Sequence, residues 1–175
     1  LGIKFDLLLE DGYLSIYTFT NFMAICIRLQ EFTTGRAFLN DYHQSLPPKR
    51  AKEVVALINA RLLFAEGQPS EALLALQNTD YQDAIHLMNA RMLQIRIYYE
   101  TGEHLALADL IRSTRAILRR RRLGYHRENY RNNLRMVQRL LRLRPQQTKA
   151  REKLKEQIDS TSPLTEREWL LKQLT

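Results

Sequence analysis

The residues of this sequence that are best suited to chemistry are arginines, and they are concentrated in one segment. Residues 112–144 contain twelve arginines, no lysine and one acidic residue, Glu128. The segment therefore carries a formal charge of +11, and since the chain totals +8, the other residues sum to −3. A guanidinium binds carboxylate or phosphate through two parallel hydrogen bonds, which an ammonium cannot do. The segment is the first candidate for an anion-binding surface.

The spacing of these arginines fits one side of two consecutive helices. Within 104–122 and within 126–143, arginines recur every three or four residues, and apolar residues recur at the same interval on another side. The predicted apolar stripes are Leu107, Leu110, Ile111, Thr114, Ile117 and Leu118, then Tyr130, Leu134, Val137 and Leu141. The predicted basic surface comprises Arg112, Arg115, Arg119, Arg122, Arg127, Arg131, Arg135, Arg139 and Arg142.

Three interpretations of the basic surface remain open. Like charges four residues apart destabilise a helix slightly, so something must offset their repulsion. The surface is either solvated and partly neutralised, or it binds an acidic protein or peptide, or it binds nucleic acid. Aromatic side chains that could stack on bases are few here, only Tyr125 and Tyr130, and we expect Tyr130 in the core. The acidic residues available for neutralisation are Glu100, Glu103, Asp109 and Glu128.

Glycines mark the helix pairs that would carry these residues. Gly35, Gly67 and Gly102 each lie between two apolar-periodic stretches, at spacings of 32 and 35 residues. A glycine adopts the left-handed conformation that ends a helix, so each one predicts a reversal into an antiparallel partner. The predicted pairs are 16–33 with 36–45, 49–66 with 69–78, 81–101 with 104–122, and 126–143 with 146–159.

The second pair carries the most specific signature. Gly67, Ala72 and the preceding aromatic Phe64 match the tetratricopeptide-repeat pattern, whose unit is about 34 residues. Residues 17–122 therefore resemble tetratricopeptide repeats, although the Trp and the closing Pro of that pattern are absent. The resemblance implies an all-α, tetratricopeptide-like helical-repeat solenoid of antiparallel pairs. Four stretches are also similar to the C-terminal region of uncharacterised bacterial repeat proteins: 89–92, 97–102, 125–130 and 166–172.

The resemblance further implies a concave groove, formed by the first helices of successive pairs, that receives a ligand peptide. Arg61 and Arg96 each lie six residues before their glycine, so they occupy equivalent positions. With their polar neighbours they would suit an acidic segment or a C-terminal carboxylate. The alternative is a set of ordinary exposed polar residues. The predicted groove residues are Asn59, Arg61, Asn89, Arg96 and Tyr99.

The chain divides into three parts on this interpretation. Residues 1–15 are the end of a preceding repeat or a linker, 16–160 hold about four helix pairs, and 161–175 form a C-terminal capping helix. Thr165 and Glu168 have the spacing of a capping box at the start of that last helix.

The apolar residues near the N-terminus predict the second helix of an incomplete preceding unit. These residues are Phe5, Leu7, Leu8 and Leu9. If the array is truncated at that end, its apolar surface would be exposed, so a homodimer formed through it is an open alternative.

Motifs for catalysis, cofactors and metals are missing from the sequence. It has no phosphate-binding glycine loop and no nucleophile elbow, and no two of its four histidines are at ligand spacing. Cys26 stands alone in an apolar run and is expected to be a buried hydrophobe. With no apolar run long enough for a membrane span and no signal peptide, we expect a cytoplasmic protein without a membrane partner.

These observations predict a non-catalytic protein-interaction scaffold with no cofactor and no metal. Its expected partner is an acidic peptide or protein surface, bound through the concave groove and the basic surface. The alternative is a nucleic-acid-binding module that uses the basic surface of 112–144.

Overall fold

The computed structural model describes residues 9–10, 12–144 and 146–175. Within these residues the chain is helical apart from one short antiparallel ladder, so the predicted all-α class is confirmed. It divides into two compact units, Leu1–Leu107 and Ala108–Thr175, with the boundary inside the sixth helix. The elements are β1 Leu9–Glu10, β2 Tyr13–Leu14, α1 Ile16–Arg28, α2 Phe32–Tyr42, a 3-10 turn His43–Ser45, α3 Pro48–Ala65, α4 Pro69–Gln77, α5 Ala84–Glu100, α6 His104–Arg120, α7 His126–Leu140, α8 Thr148–Ser160 and α9 Arg167–Lys172.

Helices α1, α3 and α5 end in the same hydrogen-bonded reversal. The second residue after each helix has a positive φ, 60° at Gln30, 79° at Gly67 and 75° at Gly102. The N–H of the following residue then returns to a carbonyl five residues earlier, which satisfies an acceptor that the helix end leaves free. These bonds join Glu31 to Cys26, Gln68 to Leu63 and Glu103 to Tyr98, each at 2.9 Å.

Gly35 does not end a helix, so this part of the prediction is wrong. The reversal after α1 occurs at Gln30 instead, and Gly35 lies buried inside α2. A Cβ atom built at Gly35 would lie 3.4 Å from the Cβ of Cys26 and 3.7 Å from a methyl carbon of Leu62. These are ordinary van der Waals distances, so the site has room for a Cβ atom and the packing of α2 on α1 and α3 does not require a glycine. A sequence pattern cannot separate a glycine inside a helix from one that ends a helix, because glycine is permitted at both positions.

The N-terminal unit places the first helices of successive pairs side by side. Helix α1 packs on α3 and α3 packs on α5, while α2 packs on α1 and α3, and α4 packs on α3 and α5. One apolar cluster is centred on Phe38, whose ring centroid lies 4.2 Å from that of Phe22 and 5.3 Å from that of Phe19. A second cluster joins α3, α4 and α5, and it contains Leu57, Ala60, Ala72, Leu76, Ala90 and Ile97.

A buried carboxylate connects α3 to the start of α5. Glu53 is 7% exposed, and its oxygens accept the backbone N–H of Gln82 at 2.8 Å and that of Asp83 at 3.3 Å. The same carboxylate lies 2.9 Å from Nδ1 of His86. Asp83 in turn caps α5 by accepting two N–H groups of its first turn. Because these two carboxylates bind the chain just before α5, the helix begins at Ala84, three residues later than predicted.

The C-terminal unit contains the end of α6 together with α7, α8 and α9, and the last three helices pack on one another. Two buried asparagines of α7 hold the segment that leads into α9. Asn132 Nδ2 donates to the carbonyl of Pro163 at 2.9 Å, and Asn133 Nδ2 donates to the carbonyl of Thr165 at 3.1 Å. Trp169 of α9 is buried, which closes this unit's core.

The predicted capping box of Thr165 and Glu168 does not form. The residue before α9 is Glu166, which has a φ of 57° and makes no side-chain capping hydrogen bond. Since the carbonyl of Thr165 is held by Asn133, the chain turns at Glu166 and α9 begins at Arg167. Tertiary contacts have overridden a local signal here.

The N-terminal helix prediction is wrong at the one position where the structure tests it. Leu9 pairs with Leu14 in the short ladder of β1 and β2. The other residues of that prediction lie outside the described residues, namely Phe5, Leu7 and Leu8.

Replacing Glu53 by Ala should lower the free energy of unfolding by about 2 kcal/mol, because two part-buried backbone N–H groups and His86 lose their acceptor. The matched control is Glu71→Ala, which removes an exposed carboxylate from α4 and should change stability by less than about 0.5 kcal/mol. Urea unfolding followed by circular dichroism measures both. Equal losses in the two variants would show that Glu53 is not a structural contact.

The two kinds of glycine should respond oppositely to alanine. Gly67→Ala should cost about 1 kcal/mol, because an alanine at φ 79° is strained. Gly35→Ala should be neutral or stabilising by up to about 1 kcal/mol, since its Cβ meets neighbours at contact distance and alanine favours a helix. Thermal and urea unfolding of the two variants give the comparison, and a larger loss at Gly35 than at Gly67 would contradict the assignment.

Candidate functional site

The two helices of the basic surface separate apolar from charged residues as their spacing predicts. On α6 the predicted apolar residues are buried or half-buried, and on α7 Tyr130, Leu134 and Val137 are buried. All nine arginines of the basic surface are exposed. The fold therefore presents the whole set to solvent, and none of it is used inside the core of the C-terminal unit.

A cleft of about 380 Å³ lies between α6 and α7. Arginines from both helices border it, two from each, and two leucines contribute its apolar floor. No acidic side chain is among the residues that line it. The lining residues are Arg115, Leu118 and Arg119 from α6 with Arg127, Arg131 and Leu134 from α7.

Two of the four cleft arginines are held by neutral acceptors. Nη2 of Arg115 donates to Oε1 of Gln138 at 2.5 Å, which joins α6 to α7. Nη2 of Arg127 donates to the backbone carbonyl of Arg121 at 3.0 Å. Neutral acceptors orient a guanidinium and leave its charge uncompensated, so these two side chains are positioned without being neutralised.

The other two cleft arginines differ in their partners. Nη2 of Arg131 donates to Oε2 of Glu128, one turn earlier on α7. In the part of the chain that the structure describes, no carboxylate lies within ion-pair distance of Arg119. A guanidinium has five N–H donors, so even Arg131 keeps donors that Glu128 does not use.

Neutralisation of the remaining basic surface is sparse. Arg112 Nη2 lies 2.7 Å from Oδ1 of Asp109, whereas Arg135 donates to the amide of Asn132 at 3.1 Å. Of the acidic residues expected to neutralise the surface, Asp109 and Glu128 pair with it inside the C-terminal unit. Seven of the nine arginines therefore have no carboxylate partner among the described residues of that unit, so ion pairs within the unit leave most of the charge of this surface uncompensated.

The two aromatic residues of this region have opposite environments. Tyr130 is 3% exposed, which confirms its predicted place in the core. Tyr125, in the turn between α6 and α7, is 83% exposed and its ring centroid lies 3.9 Å from that of His126. One exposed aromatic ring therefore adjoins the arginine-bearing helices.

The predicted groove residues lie on two helices that pack together, α3 and α5. Arg61 and Arg96 each precede the positive-φ glycine of an equivalent reversal by six positions, so they occupy matching places at the ends of α3 and α5. All five predicted groove residues are half-buried. Arg96 already has partners: Nε donates to Glu100 Oε1 at 2.9 Å, and its guanidinium carbon lies 5.3 Å from the centroid of the Phe64 ring. Glu100 and the Phe64 ring therefore compensate part of the charge of Arg96 within the N-terminal unit.

Residues that position the basic surface were missed by the sequence analysis. Gln138 holds Arg115 across two helices, and Gln157 of α8 accepts a hydrogen bond from Arg139. Arg167 is a structural arginine, since it donates to the carbonyl of Asp159 at 2.6 Å at the end of α8. No spacing rule marks these residues, because their partners come from other elements.

Cys26 is 4% exposed, as predicted for a buried hydrophobe. Burial raises the pKa of its thiol, and the nearby charge of Glu31 adds to that increase. Over the described residues, no group of three or more His, Cys, Asp or Glu side chains is placed to hold a metal ion.

No described helix combines the length and the apolar character that crossing a membrane requires.

Comparison with models of known protein families finds no match, and neither curated proteins nor solved structures give a match to this chain.

Reversing one charge of the cleft should stabilise the fold. Arg119→Glu replaces a like charge near Arg115, Arg127 and Arg131 by an opposite one, so the free energy of unfolding should rise by about 0.5 kcal/mol at low salt. Raising the ionic strength to about 0.5 M should remove most of the gain, because salt screens exposed charges. Urea unfolding at the two salt concentrations measures this. A loss of stability at low salt would mean that Arg119 has a structural role.

Proposed function

We propose that this protein is a non-catalytic interaction module that binds an acidic protein or peptide through the basic surface of α6 and α7. The observation that carries the proposal is the set of nine exposed arginines, of which only Arg112 and Arg131 pair with carboxylates in the described chain. Such a surface leaves a large uncompensated positive charge in the free protein. An anionic partner would supply the missing carboxylates, and the long-range attraction would speed association.

The architecture we propose is a tetratricopeptide-like array. Its support is the reversal repeated at Gln30, Gly67 and Gly102, with steps of 37 and 35 residues, together with the side-by-side packing of α1, α3 and α5. Arrays of this kind receive a peptide along their first helices, which makes α3 and α5 a second contact surface. Arg61 and Arg96 would contribute charge there, although Arg96 must share its guanidinium with Glu100.

Nucleic acid is the second candidate, and one observation favours it. Tyr125 is 83% exposed on the turn between the two arginine-bearing helices, where its ring is accessible to a base. Stacking on an aromatic ring beside cationic side chains is the usual mode of single-strand binding. The paucity of other exposed aromatics in this region keeps the acidic peptide first.

The two candidates differ in their dependence on salt and on Tyr125. Fluorescence anisotropy of a labelled poly-glutamate peptide and of labelled single- and double-stranded oligonucleotides measures both. We expect the peptide to bind at physiological salt, and we expect Arg131→Glu, Arg135→Glu and Arg139→Glu combined to abolish that binding by charge reversal. Tyr125→Ala should leave peptide affinity unchanged, since a carboxylate side chain has no base to stack.

The outcomes separate the candidates. A different outcome is that the single-stranded oligonucleotide binds more tightly than the peptide, with a steep salt dependence and about a tenfold loss of affinity in Tyr125→Ala. That result would identify nucleic acid, and not an acidic peptide, as the partner. No binding of any probe near 0.15 M salt would leave the basic surface as a solvated face and would remove the proposal. The triple variant Arg61→Gln, Asn89→Ala and Arg96→Gln measures how much the groove contributes to the affinity for the peptide.

A further inference from the structure

We infer that the cleft between α6 and α7 is a binding site for one phosphate monoester group, carried as a phosphorylated side chain by the acidic partner. The inference rests on the proposed function, since it specifies what the acidic partner presents to the basic surface. Its basis is the convergence of Arg115, Arg119, Arg127 and Arg131 on one cleft of about 380 Å³.

The concentration of charge at one place distinguishes a dianion from a carboxylate. A carboxylate has one negative charge and two oxygens, and a single arginine fork satisfies both. A phosphate monoester has up to two charges and three acceptor oxygens, so it uses several guanidinium groups at once. Four arginines from two helices, with no acidic residue among the lining side chains, exceed what one carboxylate can occupy.

The cleft arginines are also oriented before a ligand arrives. Gln138 holds Arg115, and the carbonyl of Arg121 holds Arg127, so two of the forks are fixed by neutral acceptors. Fixing the side chains in advance reduces the conformational entropy that binding would otherwise remove. Arg119 has no carboxylate partner within the described residues, so it is available to the ligand without the loss of an ion pair.

The apolar floor and the surroundings fit a side chain on a peptide. Leu118 and Leu134 line the cleft at 6% and 1% exposure, so they would offer a small apolar contact to the methylene or methyl group that links a phosphate to a peptide backbone. Arg112 and Arg135 are exposed on the same two helices outside the lining, where they can meet acidic residues that flank the phosphorylated one. A phosphodiester chain presents one charge per group along its length, which suits the wider surface better than this cleft.

The test compares three labelled peptides of one acidic sequence that differ at a central residue, which is serine, aspartate or phosphoserine. Fluorescence anisotropy should show the phosphoserine peptide binding about tenfold more tightly than the aspartate peptide. Equal affinity of these two peptides would overturn the phosphate site and leave the proposed function intact. Failure of all three peptides to bind would overturn both.

A matched pair of double variants locates the site. Arg119→Gln with Arg131→Gln removes two charges from the cleft, whereas Arg112→Gln with Arg135→Gln removes two charges from the same helices outside it. The cleft double variant should lose the preference for the phosphoserine peptide over the aspartate peptide. The double variant outside the cleft should bind both peptides more weakly, by the same factor. Loss of the preference in the second pair, with its retention in the first, would place the phosphate elsewhere and overturn the assignment.

The pH dependence provides an independent readout. The second pKa of a phosphate monoester is about 6, while that of an aspartate side chain is about 3.9, and arginine stays charged throughout. Affinity for the phosphoserine peptide should therefore rise several-fold from pH 5 to pH 7.5, and that for the aspartate peptide should stay constant. Parallel pH profiles would contradict recognition of the dianion.

Inorganic phosphate should compete only weakly with the phosphoserine peptide. Competition as strong as that of the unlabelled peptide would indicate a site for small phosphates instead.

Discussion

The way the chain reverses after α1, α3 and α5 is the constraint on which the N-terminal unit depends. A helix end leaves carbonyl groups without partners, and a left-handed residue lets the next N–H groups turn back to satisfy them. The residue that completes this hydrogen bond is also the one that precedes the next helix, so α2, α4 and α6 begin at once. Within the N-terminal unit, links this short pair α1 with α2 and α3 with α4, and the apolar clusters between these helices follow from that geometry.

In the basic surface, the repulsion between neighbouring arginines is balanced by the packing of the buried residues on the same two helices. Arginines at three- and four-residue steps repel one another, and the buried residues of the same two helices offset this cost by packing. Gln138 and the Arg121 carbonyl then fix two guanidinium groups without adding negative charge. The surface is therefore ordered and uncompensated at the same time, which is the condition that favours an external anion.

The predicted groove differs from the basic surface in how much of its charge remains available. Arg96 is paired with Glu100 and lies over the ring of Phe64, so its charge supports the fold of the N-terminal unit. The arginines of α6 and α7 are mostly paired with neutral groups or with none in the described residues. Among the described arginines of α6 and α7, Arg112 and Arg131 are the two that have a carboxylate one turn away.

The sequence by itself determined the helical class, the apolar and charged sides of α6 and α7, and the reversals at Gly67 and Gly102, because these follow from local spacing and from backbone conformation. Only the tertiary structure decided that Gly35 lies buried inside α2, that Glu53 holds the start of α5, and that the arginines from two helices meet in one cleft. These features arise where side chains distant in sequence come into contact. No local rule specifies such contacts, since the same residue types occur both at these contacts and at ordinary surface positions.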